Sequence, residues 1–249
     1  MFTLKSNLKV LKGGEKMKTL GLVLAIVVLA SCSAFAEVGA YDVYSGFNLV
    51  AAPVVPLNSD PLSVFDQVGL DYYSSSLSRF DGATATMVGY DPYNTSAFGG
   101  VLLGDGYWLW CDTAYSVSFD GVADGVPDAN NVKTDMWISL PGDQTDGVDA
   151  GGWNLIGNPF NHDVPFGSDE YSGVGDYLKV TDGVDMKTIE EAEAAGWISG
   201  QFSYYDGNTQ TMYNAGYFYC DDYYLRAGKG YWVYTNRDNL ALIIPADVQ

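Results

Sequence analysis

From residue 42 onward the apolar positions fall in short runs, each closed by Gly, Pro, Asn or Asp. Leu49-Val50-Ala51-Ala52 stops at Pro53, and Leu155-Ile156-Gly157-Asn158 stops at Pro159. Proline cannot donate to a ladder, so both runs predict short strands. Phe80-Asp81-Gly82-Ala83-Thr84-Ala85-Thr86-Met87 and Tyr205-Asp206-Gly207-Asn208-Thr209-Gln210-Thr211-Met212 place Asp-Gly between an aromatic strand end and alternating Thr. That pattern predicts hairpins with a tight turn. Gly104-Asp105-Gly106-Tyr107-Trp108-Leu109 and Gly228-Lys229-Gly230-Tyr231-Trp232-Val233 predict a flexible turn running into a strand whose rings alternate between faces. Helix is scarce. One short helix is predicted over 60–69, with Asp60 as N-cap, Pro61 in the first turn and Gly69 as the stop. A second is predicted over 186–195, rich in helix formers and ended by Gly196.

The three blocks recur in one order, beginning at Gly46 and Gly152, at Phe80 and Tyr205, and at Gly104 and Gly228. The offset is 106 residues at the first block and 125 and 124 at the later two, so the second copy carries about nineteen extra residues between its first and second blocks. This is a duplication, the pattern to seek before any fold assignment. The expected architecture is all-β: two diverged tandem sandwich- or barrel-like domains, 37–131 and 132–249, with one or two short helices. The Gly/Asp/Asn-rich stretch 121–131 is the expected join.

Gly152-Trp153-Asn154-Leu155-Ile156-Gly157-Asn158-Pro159-Phe160, with Gly228-Lys229-Gly230-Tyr231-Trp232-Val233 downstream, resembles a tandem β-repeat family of exported bacterial proteins. In that family a Gly-Trp-Asn-Leu-Ile opening and a Gly-x-Gly-Tyr-Trp-Val closing strand bracket each unit. The resemblance implies a non-catalytic unit of a secreted or surface protein. The first copy departs from the pattern at Phe47, Ala51 and Ala52.

The N-terminal segment adds location. Met17-Lys18, the apolar run 20–30 and Ala34-Phe35-Ala36 form a secretory signal over 17–36. The run is shorter than the ~20 residues of a bilayer span, so no membrane span is expected. Met17 is the expected start of translation, with residues 1–16 an upstream leader assigned in error, because Lys12 to Lys16 back-translates into a purine-rich ribosome-binding sequence. Leu29-Ala30-Ser31-Cys32 also reads as a lipobox, so lipidation at Cys32 is the alternative to cleavage after Ala36. The expected location is extracellular or at the cell surface.

Composition then narrows the partners. Residues 1–36 carry five Lys and one Glu, so the rest holds 7 basic against 30 acidic residues, a net charge near −23. Such a surface repels nucleic acid and anionic lipid. The 14% of aromatic residues is ample for a core. Cys111 and Cys220 survive processing and form a candidate disulfide in an oxidising compartment.

Little in the sequence points to catalysis. The one histidine, His162, reads as a loop residue, and no Gly-x-Ser-x-Gly elbow positions a nucleophile. Carboxylate pairs of the glycosidase kind are too numerous among so many acidic residues to carry information. The two Gly-x-Gly sequences are turns, since a strand and not a helix follows them. No cofactor is expected, except that Asp120, Asp124, Asp128 and Asn130 resemble a calcium loop with one ligand position taken by Val122. Asp143, Asp146 and Asp149 form a weaker cluster. The aromatic surplus suggests binding: Tyr72, Tyr204, Tyr223, Trp110 and Trp197 are the candidate exposed rings, because strand neighbours face opposite ways. The expected function is a non-catalytic structural or adhesive module whose partner is a surface polymer, a glycan or another exported protein. The alternatives are a carbohydrate-binding module using exposed aromatics, stabilised by calcium, and a glycan hydrolase.

Overall fold

Alternation along the strands decides which residues each sheet buries. The computed structural model describes residues 36–71, 75–123, 134–147, 150–168 and 174–247. The first half contributes β1 (Ala36–Val43), β2 (Gly46–Ala51), β3 (Val54–Pro56), α1 (Pro61–Val64), β4 (Ser75–Asp81), β5 (Thr86–Gly89), β6 (Gly106–Cys111) and β7 (Tyr115–Ala123). The second contributes β8 (Met136–Leu140), β9 (Gly152–Gly157), β10 (Val164–Pro165), β11 (Lys179–Thr181), β12 (Met186–Thr188), α2 (Ile189–Ala194), β13 (Gln201–Asp206), β14 (Thr211–Gly216), β15 (Tyr224–Leu225), β16 (Gly230–Thr235) and β17 (Leu240–Ile244). The fold is all-β.

Each half carries a four-stranded antiparallel sheet of the same order, β2-β6-β4-β5 in the first and β9-β16-β13-β14 in the second. The register matches as well: Leu49 pairs with Trp108 and Val50 with Tyr107, just as Leu155 pairs with Trp232 and Ile156 with Tyr231. A second sheet covers one face of each, β1-β7-β3 in the first half and β8-β17-β11-β12 in the second. Between the layers lie two cores. Leu77, Tyr107, Leu109, Val117 and Phe119 anchor the first, with Phe65 filling its end. Phe202, Tyr231, Val233, Leu242 and Ile244 anchor the second, with Ile189 from α2. Residues 37–249 nonetheless form one compact unit.

Local chemistry accounts for the details. Tyr107 and Tyr231 are fully buried, and each hydroxyl accepts from the backbone N–H five residues upstream, Leu102 and Arg226. That bond closes the turn leading into β6 and β16. Asp60 caps α1 by accepting from the Leu62 N–H at 3.0 Å, and the helix gives way to turns before Gly69 at φ +65°. The predicted second helix is shorter than its sequence pattern. Met186-Lys187-Thr188 pairs with β11 as a strand, and the helix begins only at Ile189. Thr188 ends the strand because it forms a capping box with Glu191. The extra residues of the second copy thus enlarge its second sheet and supply α2.

Candidate binding groove between the two halves

The four-stranded sheets bury one face in their own cores and turn the other toward each other. On β2, Asn48 and Val50 point inward while Phe47 and Leu49 point across; on β6, Trp108 points across. The contact is a pseudo-two-fold. Ala51 N–H donates to Gly228 O at 3.0 Å, and its counterpart Gly157 N–H donates to Gly104 O at 2.8 Å. Isolated bridges join Val50 to Lys229 and Ile156 to Asp105.

Repeat glycines make this approach possible. A Cβ on Gly106 would lie 2.4 Å from Ile156 O, and one on Gly157 would lie 2.2 Å from the Ala51 methyl. Gly82 and Gly207, the glycines of the two Asp-Gly sequences, rest against Asn154 and Asn48 of the opposite half. They are not tight-turn glycines. The hairpins carry four-residue turns in which Ala85 and Gln210 hold the left-handed conformation, at φ 50° and 52°. Asp81 and Asp206 brace those turns by accepting from the Ala83 and Asn208 N–H groups. The Asn154 side-chain oxygen, facing Gly82, is buried without a hydrogen bond among the described residues.

Beside the junction the same faces leave their rings to solvent. Phe47 meets Trp108 edge-on at 5.8 Å, and Trp108 meets Tyr205 of the other half at 5.1 Å. The symmetric set is Trp153 on Trp232 at 6.1 Å and Trp232 on Phe80 at 4.8 Å. Met87 and Met212, at matched positions, flank the two rows. Phe47 is 51% exposed and Trp153 49%, so these rings are open at one end of each row. Together the rows line a groove of about 560 Å³ and an adjoining one of about 300 Å³ that share Phe80 and Trp232. Among the described residues no charged side chain lines either part. Ser78, Ser203 and Tyr205 supply hydroxyls.

No family model, curated protein or solved structure matches the chain. The groove is therefore read on its own chemistry. Edge-to-face ring pairs in an uncharged cleft favour an apolar or ring-bearing partner.

The rings expected from the sequence fall in several places. Trp110 lies on the groove face, opposite Phe47 across the ladder, and is half-buried. Tyr204 packs onto the second core instead, stacked with Tyr213 and tilted against Tyr231, and burial pushes its phenol up to about 12. Trp197 is only 9% exposed, with Lys187 and Arg237 over its ring. Tyr223 is half-buried, and Tyr72 lies outside the described residues. The side chains that form the groove follow a different signal, the alignment of the two copies. Phe47, Phe80, Met87, Trp108, Trp153, Tyr205, Met212 and Trp232 are the matched aromatic and Met positions of the repeat blocks.

Other expected sites come apart. Cys111 is buried in the first core and Cys220 lies near the β14 end of the second half, and both thiols are free rather than paired. Asp120 is exposed on β7, whereas Asp124, Asp128, Asn130, Asp149 and Cys32 lie outside the described residues. Asp143 closes a local turn with Thr145, whose N–H and hydroxyl hold its carboxyl below the usual range. Among the described residues no three His, Cys, Asp or Glu side chains could share a metal ion. His162 stacks on Phe160 at 5.3 Å. No helix among them is long and apolar enough to cross a membrane.

Proposed function

We propose that this chain is an exported, non-catalytic surface or secreted module, structural or adhesive, that works by holding a partner in the ring groove. The observation that carries the reading is the twice-repeated row Phe47–Trp108–Tyr205 and Trp153–Trp232–Phe80, kept at matched positions and left open to solvent. Large exposed rings cost solubility and are found where a contact uses them, and aromatic anchors dominate the energetics of such contacts. The surrounding acidic charge suits an extracellular surface. A glycan as that partner is the second reading, favoured by the Ser78 and Ser203 hydroxyls beside the rings.

The test is cosedimentation of the purified chain with envelope material of the producing cell. The Phe47→Ala/Trp153→Ala variant should lose about tenfold in retention, the size expected when two anchors go, with an unchanged thermal transition. Equal retention of the variant, or none by the parent, rejects the reading. Competition by soluble oligosaccharides separates a glycan partner from a protein one.

A further inference from the structure

A second cavity opens on the other side of β2. Asn48 and Val50 line it, while their neighbour Phe47 faces the groove, so the two sites share no residue. Its volume is about 300 Å³. Phe65, Phe119 and Asp42 come from the first half; Asp206, Asn208 and Lys229 close it from the second.

Three observations make this more than a gap in packing. Lys229 takes the position that the first half gives to Asp105, so the two-fold is broken here by a reversal of charge. Asp105 is satisfied locally by the Tyr107 hydroxyl. The Lys229 ammonium has no hydrogen-bond or ion-pair partner among the described residues, although burial depresses its pKa against the opposing pull of Asp206 and Asp42. An ammonium half out of water without an acceptor is costly. Asp206 uses Oδ1 to accept from Asn208 N–H at 2.9 Å, while Oδ2 has no partner among the described residues. At the related place in the other half, the wall beside Gly104 is Ile138 and Met136, both apolar.

The pocket asks for a ligand that gives an acceptor to Lys229, donors to Asp206 and Asp42, and an apolar face to Phe65 and Phe119. A hydroxyl is donor and acceptor at once. Two carboxylates against one ammonium, in a chain of formal net charge −19, disfavour an anion. At roughly 30 Å³ per water-sized group the cavity holds about ten heavy atoms. We propose that this pocket binds a single neutral sugar ring, with Lys229 and Asp206 as its hydrogen-bonding pair. The site is independent of the ring groove.

The experiment is saturation-transfer NMR and calorimetry on the full chain with D-glucose, D-galactose, D-mannose, D-xylose and N-acetyl-D-glucosamine, each at roughly 10 mM, where millimolar affinity is measurable. At least one should bind. That affinity should fall about tenfold in Lys229→Met and in Asp206→Asn, while Phe47→Ala/Trp153→Ala leaves it unchanged. Unfolding curves of the variants show that the fold is kept. As a second readout, the methyl resonance of reductively methylated Lys229 should shift when the sugar is added. Silence from all five sugars, binding of zwitterionic α-amino acids in their place, or sugar binding indifferent to both pocket variants would overturn the proposal. Loss of envelope retention in the groove variant with sugar binding intact would overturn neither site.

Discussion

Adding one methyl group at Gly106 tests the junction directly. Gly106 lies in β6 and its backbone is not in the left-handed region, so alanine meets no conformational objection there. The obstacle is purely steric: the new Cβ would stand 2.4 Å from Ile156 O and 3.0 Å from the Leu155 side chain. A backbone carbonyl in a paired strand cannot step aside, so the halves must separate locally. Overpacking of this kind costs about 1–3 kcal/mol. The separation also stretches the Gly157 N–H to Gly104 O bond of 2.8 Å, worth about 1 kcal/mol. The expected loss is therefore about 2–4 kcal/mol in urea unfolding by linear extrapolation, and roughly 5–15 °C in Tm for a chain of this size. Gly89→Ala is the matched control, since its Cβ meets only Ser78 Oγ at 3.9 Å, and should stay within about 0.5 kcal/mol of the parent. If Gly106→Ala proves as stable as Gly89→Ala, the halves do not meet as described and the groove between them loses its basis.

Two titrations extend the reasoning. Burial raises the phenols of Tyr107, Tyr204, Tyr217 and Tyr231, Tyr204 to about 12. A raised pKa means the native state holds the proton longer than the unfolded chain does, so the stability is full below the unfolded value near 10. It is lost as pH climbs through the native values. Absorbance at 295 nm should show a late-titrating set that disappears in urea, together with steep alkaline unfolding; a single transition near pH 10 with the fold intact would contradict this. Asp105 is the acidic case. Burial raises its carboxyl, outweighing the Tyr107 hydrogen bond and Arg79, so at neutral pH its charge opposes folding. Asp105→Asn should raise the Tm at pH 7, by an amount that shrinks as pH falls through the native pKa toward the unfolded value near 4. A variant less stable than the parent at pH 7 would show that the charge is used.

The strands were legible because their signal is local. A run closed by Pro53 or Pro159, or a ring pair following Gly-x-Gly, specifies extended chain whatever packs on it. The matched blocks also fixed the repeat. What remained hidden depended on the partner half. Gly82 reads as a turn glycine beside Asp81, yet its missing side chain makes room for Asn154. Gly106 reads as the end of a flexible turn, although only Gly104 adopts a positive φ there. Trp197 looked like surplus because its core neighbours and two cations come from distant segments. The choice between Tyr204 and Tyr205 turned on parity alone. Tyr205 aligns with Phe80, and both meet a Trp of the opposite half, so the alignment held the answer that adjacency could not give.

A two-fold contact uses every residue on its axis twice, which separates the matched positions into two kinds. Those facing the junction kept their type in both copies: Phe47 with Trp153, Leu49 with Leu155, Trp108 with Trp232, Gly82 with Gly207. Where one departs, its partner compensates. Ala51 has a methyl because Gly157 lacks one, and both could not be alanine with 2.2 Å between the two carbons. Some positions turned away from the axis have no such partner and have drifted, Cys111 against Thr235 and Arg79 against Tyr204. Asp105 against Lys229 belongs to neither kind, since it sits at the junction and yet reverses its charge. The reversal puts Lys229 into the wall of a cavity that Asp105 does not line, in keeping with the sugar pocket we propose.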